Sequence, residues 1–438
     1  MDDNDRSIVG FVMVGHGMVH TYELSIPILM TIWLLEFSTT AAVLGVAVAV
    51  GYGLFGIGAL PGGLLVDRFG SRLLISACLA GMGLSFLALS LAPGVVGVTV
   101  ALALWGAAAS VYHPAGLTLI SNGVRERGRG FAYHGMAGNV GIAGGPLLTA
   151  VMLLAFDWRV VAVVLAIPAL IGAVVGLTLE FDPTAAVDRT QAAGERADGG
   201  HGRGDGGDER AADGGDPLER RTPSSLAEFA ADTRRLFTLG FLLVFVIVGL
   251  NGLYYRGVLT FLPDLLGDFL TAAVGDVQPG IFDPESPLAE EFDLAQYLYA
   301  GLLTVGIGGQ YLGGRLTDAI EPDRGLVVML SIMTVIALLF VPAAGAGLWG
   351  LLAVSFLLGF ALFAMQPLTQ ATIAKYSDPG ARGLSFGYTY LAIFGIGALG
   401  AAVVGTVLTY ASVSVMFVVL AGFSTTAGLL AVYLVTRP

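Results

Sequence analysis

Three polar residues in the first apolar stretch have the types and spacing needed to exchange protons. His16, His20 and Glu23 are four and three residues apart, which places them on one face of an α-helix. Histidine titrates near neutral pH, and an ionisable side chain inside a membrane marks a functional position by default. We therefore predict proton coupling, with Glu23 as the carrier and His20 and His16 as its partners.

Two other interpretations of this face remain open. The histidines can be structural groups that bond to neighbouring helices. They can also bind a metal ion, but the sequence shows no partner acid or cysteine for such a site, and the only cysteine, Cys78, lies inside another apolar run. We therefore predict that the protein has no metal site and no cofactor.

Arg256 lies inside a second apolar stretch, where a charge needs a counter-charge, carbonyl groups or water. Two functional roles follow from this requirement. Arg256 can form an ion pair with Glu23 that protonation breaks, or its guanidinium can hold an anionic solute such as a carboxylate or phosphonate. The structural alternative is an arginine that extends outward beside Asp264.

A proline in the fourth apolar stretch predicts a bend next to a histidine. Pro114 removes a backbone hydrogen bond, so the preceding Tyr112 and His113 can face solute or proton. Alternatively, His113 bonds to the carbonyl that the proline frees. We expect His134 to lie at the membrane interface. The predicted substrate-binding residues are Arg256, His113, Tyr112, Gln366, Tyr255 and Asn139.

The elements that position these residues are membrane helices. The chain has 438 residues, of which 55% are hydrophobic and 12% charged, and an apolar run of about 20 residues spans a bilayer. We predict an all-α membrane protein with twelve spans, the first being a retained helix. The expected spans are 8–35, 41–66, 73–92, 95–120, 131–155, 159–180, 236–262, 294–319, 325–345, 347–373, 383–409 and 413–436.

Charge predicts the orientation of these spans. If the N-terminus is cytoplasmic, nearly all the arginines outside the spans lie inside the cell. The loop at 264–293 carries eight acids and no basic residue, which fits the outer face. We expect a plasma-membrane protein with both termini in the cytoplasm. The net charge of −12 also argues against nucleic acid as a partner.

A polar segment divides the chain into three parts. Residues 181–235 contain twelve acids and eight bases among many glycines, a composition typical of disorder. We predict an N-terminal six-helix bundle at 1–180, a disordered linker at 181–235 and a C-terminal six-helix bundle at 236–438. A short surface helix is expected at the end of the linker, around Leu226–Ala230.

The two halves repeat each other. Gly62 to Asp67 matches Gly313 to Asp318 at an offset of 251, and His113-Pro114 matches Gln366-Pro367 at an offset of 253. Two duplicated halves of six spans are the plan of many secondary transporters. The repeat therefore predicts a central cavity between two bundles related by a twofold axis.

The chain resembles the major facilitator superfamily in the loop Gly62-Gly63-Leu64-Leu65-Val66-Asp67-Arg68-Phe69-Gly70-Ser71-Arg72. The resemblance implies two six-helix bundles and a gating role for this loop, with Asp67 central and Asp318 its weaker counterpart. The alternative is that Arg68 and Arg72 only anchor the helix ends on the cytoplasmic side of the membrane, where basic residues concentrate. The residues predicted to take part in gating are Asp67, Arg68, Arg72, Gly63, Gly70, Asp318 and Arg315.

Two further segments narrow the resemblance. Tyr112-His113-Pro114-Ala115-Gly116, with Gly138 to Leu148, is similar to the fosmidomycin-resistance type of efflux protein. Gly141, Gly144, Gly145 and Pro146 resemble part of an antiporter motif in which small residues let helices approach closely. The motif departs from the family at Thr149 and Ala150, where glycines are expected, so the direction of transport stays open.

These features predict a secondary transporter that acts as a monomer in the lipid bilayer. The leading interpretation is proton-coupled efflux of a small organic solute. The alternative is a symporter that imports an anionic metabolite with protons or sodium. A sensor that binds without transport and a membrane enzyme are rival classes, and the sequence lacks the phosphate-binding loop of an ATP-driven pump.

Overall fold

The computed structural model of the chain describes residues 1–187, 226–275, 293–377 and 382–437. Every regular element in those ranges is a helix. In the N-terminal half these are α1 (Asp3–Glu36), α2 (Ala41–Ile57), α3 (Ala59–Phe69), α4 (Ser71–Ser90), α5 (Val95–Ala109), α6 (Tyr112–Gly123), α7 (Arg127–Leu153) and α8 (Trp158–Thr178). They are followed by α9 (Leu226–Leu236), α10 (Leu239–Val274), α11 (Leu294–Ala319), α12 (Pro322–Gly345), α13 (Leu348–Lys375), α14 (Arg382–Tyr390), a π-helical segment (Leu391–Ile396), α15 (Leu399–Tyr410) and α16 (Val413–Thr436).

The predicted twelve-span architecture is confirmed. Within the described ranges, eleven helices are long and apolar enough to cross a membrane. The remaining predicted span is α11, which runs for 26 residues. It contains Gln296, Gln310 and Arg315, and these polar residues reduce its apolar character.

Three of the predicted spans are interrupted helices, since the eleventh, at 383–409, contains α14, the π-helical segment and α15. The second divides at Gly58 into α2 and α3, and the fourth divides at Ser110 and Val111 into α5 and α6. The break between α5 and α6 lies one turn before Pro114, whose ring cannot continue the backbone hydrogen bonds of the helix. The predicted bend beside His113 is therefore present.

The seventh span extends further than predicted. The sequence placed its end at residue 262, before Pro263, but α10 continues to Val274. Leu265, Leu266 and Leu270 are buried, so the part of the helix beyond the proline packs against its neighbours. Packing of this apolar side outweighs the hydrogen bond that the proline removes.

The ends of the bundles can be told apart by their contacts. At one end, Asn4 bonds to the carbonyls of Gly123 and Asp182. At the other, Glu36 pairs with Arg159 at 2.7 Å. We call the first the basic end, since it carries Arg68 and Arg125, and the second the opposite end.

The two six-helix bundles meet along α2 and α15, among other helices. Near the opposite end, the Ala42 amide donates to Thr409 Oγ1 at 2.9 Å. A Cβ atom at Gly45 would lie 2.5 Å from the carbonyl oxygen of Ala401. The backbones of the two helices therefore touch with almost no side chain between them.

The internal repeat is visible as an equivalent contact in each half. Gly62 of α3 lies against Val111, since an added Cβ would be 3.5 Å from Val111 Cα. Gly313 of α11 lies directly against the backbone of Ala364. Gly62 and Gly313 correspond at the offset of 251, and Val111 and Ala364 at the offset of 253. Both sequence matches therefore describe the same helix-to-helix approach.

The segment between the bundles is described only at its two ends. Residues 181–187 stay attached to the N-terminal bundle, where the Ala186 amide donates to the Asn122 carbonyl at 2.9 Å. This attachment continues seven residues beyond the predicted boundary at 180. The short helix expected near the end is confirmed as α9, while residues 188–225 lie outside the described part of the chain.

Candidate functional site

The centre of the molecule contains an ion pair that joins the two bundles. Glu23 Oε1 on α1 accepts a hydrogen bond from Arg256 Nη2 on α10. Each side chain is only 2% exposed. Of the two functional roles that the sequence left open for Arg256, the structure therefore contains the geometry of the ion pair.

The environment of Arg256 is aromatic. Its guanidinium carbon lies 4.0 Å from the ring centre of Tyr52, 5.2 Å from that of Phe394 and 5.5 Å from that of Tyr255. Aromatic faces attract cations, so these rings help to stabilise the charge away from water. Because the side chain is enclosed in this way, the alternative in which Arg256 extends outward beside Asp264 is wrong.

Arg256 has a remaining donor. Its Nε is buried and has no hydrogen-bond partner among the described residues. A guanidinium offers five N–H donors, and leaving one of them unsatisfied in a buried site costs free energy. Arg256 therefore keeps one buried donor that no described residue satisfies.

Glu23 also bonds to the predicted histidine partners. His20 Nδ1 lies 2.5 Å from Glu23 Oε2, and His20 Nε2 lies 3.1 Å from His16 Nε2. His16 Nδ1 in turn lies 2.7 Å from the backbone oxygen of His134. A continuous chain of polar contacts thus connects Arg256, Glu23, His20, His16 and the carbonyl of α7.

The structure corrects the predicted position of His134. It is 5% exposed, and its ring stacks on His16 with the ring centres 3.8 Å apart. The residue lies two turns into α7, on the side that packs against α1. The sequence interpretation considered only distance from the end of the span, whereas the direction of the side chain decides its burial.

His113 brings a third helix to the cluster. Its ring centre lies 5.3 Å from that of His16 and 5.8 Å from that of His20. Across the bundle interface it lies 5.1 Å from the ring centre of Tyr390. One nitrogen from each of His16, His20 and His113 falls within 4.8 Å of the others. The sequence indicated that His113 could meet solute or proton, but not that it meets these two histidines.

Tyr112 packs behind this cluster. Its hydroxyl donates to the carbonyl of Val12, and its ring stacks on His16 with the centres 5.7 Å apart. The side chain is fully buried. Tyr112 therefore fixes the position of His16 and α1 in this structure.

The small residues of α7 allow this close packing. A Cβ at Gly145 would lie 2.7 Å from Thr21 Cα, and one at Gly138 would lie 2.5 Å from His16 Cε1. Gly141 lies directly against the Gly17 carbonyl of α1. Pro146 lies inside α7 in the same region. Gly141 and Gly145 thus face the helix that carries His16, His20 and Glu23, whereas a Cβ at Gly144 would have no neighbour closer than 4.0 Å.

The other predicted substrate residues lie on several helices. Gln366 on α13 accepts from Gln310 Nε2 at 3.3 Å. Tyr255 lies beside Arg256, with its ring centre 6.1 Å from that of Phe363, and Asn139 is half-buried on α7. The hydroxyl of Tyr52, on α2, donates to the Glu23 carbonyl at 2.8 Å.

The predicted gating loop lies at the basic end. Gly70 ends α3 with φ 78°, a conformation that favours glycine. Arg72 Nη1 donates to the Leu179 carbonyl of the same bundle at 2.7 Å, and Arg68 is exposed. Arg315 lies 3.5 Å from the Tyr311 hydroxyl, and Gly63 has open space around it. The side chains of Asp67 and Asp318 lie outside the described residues.

Together, the paired six-helix bundles and the charged contact buried between them define the architecture of a secondary transporter. The family model described as Major Facilitator Superfamily matches residues 11–274 and 269–438. The chain belongs to this superfamily. It is a multi-pass membrane transporter rather than an enzyme, whereas the narrower likeness to fosmidomycin-resistance proteins stays a prediction.

Solved structures with the same fold have low sequence identity to this chain. A bacterial homologue of the human lysosomal transporter Spinster, inward-facing and unoccupied, is 14% identical with a TM-score of 0.69, covering 99% of each chain. A mutant of the nucleoside transporter NupG is 13% identical with a TM-score of 0.70, covering 98% of this chain and 99% of its own. No curated protein matches the chain significantly. At this level of identity the likeness concerns the fold alone.

Proposed function

We propose that this protein is a proton-coupled transporter that exports a small organic solute in exchange for protons. The observation that carries the proposal is the buried pair of Glu23 and Arg256, because it joins a helix of one bundle to a helix of the other. A charge taken up at this contact acts on both bundles at once. A proton shifts the balance between two conformations when its affinity for the site differs between them, and the affinity at Glu23 changes when Arg256 moves with the other bundle.

In this proposal, protonation of Glu23 releases Arg256. Breaking a buried ion pair by removing one charge costs about 3–5 kcal/mol, which is enough to shift the balance between two conformations about a hundredfold or more. The histidines provide a route for the proton to Glu23. The titratable and charged groups around Glu23 are His16 and His20 on α1, Tyr52 on α2, His113 on α6, Tyr255 and Arg256 on α10, and Tyr299 on α11.

Alternating access would then follow from movement of one bundle against the other. Asp67, Arg68 and Arg72, with Asp318 and Arg315 in the second half, would close the basic end in one state. We place this end in the cytoplasm, because arginines concentrate there. The protein would act as a monomer in the plasma membrane, since each chain contains both bundles.

A second candidate is import of an anionic metabolite by symport with protons or sodium. The observation in its favour is the surrounding of Arg256 by Tyr52, Tyr255 and Phe394, together with its unsatisfied Nε. Once Glu23 is neutral, the guanidinium would attract another carboxylate or a phosphonate. An anionic solute would then complete the charge balance that Glu23 leaves.

Proteoliposomes distinguish these functions. Purified protein is first screened by thermal shift against neutral, cationic and anionic solutes, and the best ligand is then tested for uptake. Uptake driven by an acidic lumen indicates exchange against protons, whereas uptake driven by an acidic exterior indicates symport. Binding with no movement under either gradient would contradict the proposal and support a sensor. Uptake driven by a sodium gradient alone would identify sodium, rather than the proton, as the coupled ion.

A further inference from the structure

We propose that His16, His20 and His113 bind one divalent transition-metal ion, for which Zn²⁺ is the reference. The three rings come from α1 and α6 and bring one nitrogen each to within 4.8 Å of one another. Neutral imidazole is a common ligand of zinc, nickel, cobalt and copper ions. The proposal concerns a ligand other than the transported solute. A bound ion would occupy the Nε2 atoms that carry the proton in the proposed route to Glu23, so metal and proton would compete for His16 and His20.

The hydrogen bonds on the outer side of two rings fix which nitrogens face inward as acceptors. His16 Nδ1 lies 2.7 Å from the His134 carbonyl, which can only accept, so this nitrogen carries a hydrogen. His20 Nδ1 lies 2.5 Å from the Glu23 carboxylate and carries one for the same reason. In the neutral rings, both Nε2 atoms then present lone pairs to each other at 3.1 Å. Two facing lone pairs require a cation between them.

The same arrangement surrounds histidines that bind metals in other proteins. In a metal-binding histidine, the N–H of the second ring nitrogen almost always donates a hydrogen bond to a carboxylate or a backbone carbonyl. This bond fixes the ring and makes the histidine a better ligand. His20 has the carboxylate of Glu23 and His16 has the carbonyl of His134. Both supporting contacts are therefore already formed.

The separation of the His16 and His20 nitrogens fits a tetrahedral ion, and the His113 nitrogen lies within 4.8 Å of both. Zinc–nitrogen bonds of about 2.0–2.1 Å at tetrahedral angles place two ligand nitrogens about 3.3 Å apart, close to the 3.1 Å between His16 and His20. Three histidines leave the fourth position open to water or solute. Mg²⁺ and Ca²⁺ do not fit this set, because they prefer oxygen ligands.

A shared proton is the competing explanation, but it accounts for only two of the three histidines. One hydrogen between the Nε2 atoms of His16 and His20 would satisfy both lone pairs. It would give no reason for His113 to converge on them from α6. The His20 side chain is 12% exposed, so open space adjoins the three rings.

Metal binding to the full chain, purified in detergent and stripped of metal, tests the proposal. Co²⁺ is titrated and followed by its visible absorption, which is strong in four-coordinate sites, and Zn²⁺ is then added as a competitor. We expect one Co²⁺ per chain, displaced by Zn²⁺. His16→Gln, His20→Gln and His113→Gln should each lower the affinity by about tenfold or more, at least the loss caused by removing a supporting contact.

The matched control is His201→Gln, which changes the only other histidine besides His134 and should bind Co²⁺ as the unaltered chain does. Gly138→Ala provides a second test, since it presses on His16 without removing a ligand, and it should weaken binding. Size-exclusion chromatography and thermal unfolding confirm that each variant is folded.

Two results would overturn the proposal: no stoichiometric Co²⁺ site in the unaltered chain, or a folded His113→Gln variant with unchanged affinity. The readout is binding rather than transport. Failure of metal binding would therefore leave proton coupling intact, and failure of proton-driven uptake would leave the metal site intact.

Discussion

Glu23 and Arg256 belong to different six-helix bundles and form a buried ion pair with each other. Each has a second set of contacts inside its own bundle, since Glu23 bonds to His20 on its own helix and Arg256 lies beside Tyr255. The pair is therefore a connection between two otherwise complete units. Whether this ion pair is formed or broken determines whether the charge of Glu23 on one bundle is balanced by Arg256 on the other bundle.

Replacing Glu23 by Gln should abolish proton-driven accumulation of the solute while sparing exchange of solute across the membrane. The amide keeps the size of the side chain but cannot take up and release a proton. The measurement compares uptake under a pH gradient with exchange at equal pH in proteoliposomes. Glu36→Gln is the control, because Glu36 lies on the same helix and pairs with Arg159 inside one bundle. Accumulation retained by the Glu23 variant would eliminate it as the carrier.

Removing one member of the pair should destabilise the protein more than removing both. Arg256→Ala leaves a buried carboxylate without its partner, which costs about 3–5 kcal/mol. The double variant, with Glu23→Gln added, should recover a large part of this loss. Unfolding in detergent gives the four free energies of the cycle. A loss in the double variant equal to the sum of the two single losses would show that the pair has no interaction energy in the folded state.

Arg256→Ala should also change which solutes are transported, if the cation holds an anion during the cycle. Uptake of anionic solutes should fall by about tenfold or more, which corresponds to loss of a charge-assisted hydrogen bond of roughly 1.5–3 kcal/mol. Neutral solutes should be less affected. The experiment compares matched anionic and neutral solutes in the same proteoliposomes. Equal transport of both by the variant would rule out the anion-binding role.

Asp67→Asn should slow turnover and leave solute binding unchanged. Its proposed role lies in closing the basic end, away from the buried pair. Turnover is measured by uptake rate and binding by thermal shift with the solute. Asp182→Asn is the control, since Asp182 lies at the same end and bonds to Thr184 and Asn4 within one bundle. An unchanged uptake rate would remove Asp67 from the gating mechanism.

Two neighbouring glycines of α7 should respond oppositely to the same substitution. Gly145→Ala would place a Cβ 2.7 Å from Thr21 Cα on α1, whereas the nearest atom to a Cβ at Gly144 is 4.0 Å away. We expect Gly145→Ala to destabilise by about 1–3 kcal/mol through overpacking. Gly144→Ala should be neutral or slightly stabilising, because alanine favours the helix. Thermal unfolding of both variants gives the comparison.

The sequence predicted the parts of the molecule that depend on local properties. Apolar runs gave twelve spans because each run is long enough to cross a bilayer by itself. Glu23 and Arg256 were recognised individually, since a charge in an apolar run is costly wherever its partner lies. Their ion pair was one of several roles considered for Arg256.

The convergence of His113 and His134 on His16 could not be predicted in the same way. It depends on how far α6 and α7 are rotated and shifted against α1, which apolar composition does not determine. Apolar residues occur on every face of these helices, so the sequence does not indicate which face of a helix is buried against α1. For the same reason the extension of α10 beyond Pro263 was missed, since the packing of Leu266 outweighs a local signal.

The contact between α2 and α15 has a consequence for how the two bundles can move. Gly45 meets the carbonyl of Ala401, and Gly405 meets that of Ala41, so the surfaces are smooth and carry few interlocking side chains. Helices that interdigitate must disengage their side chains before they slide, and this raises the activation barrier. A smooth contact avoids that step. In the proposed mechanism, protonation of Glu23 would remove its ion pair with Arg256, and the smooth contact between α2 and α15 would then add little side-chain resistance to sliding.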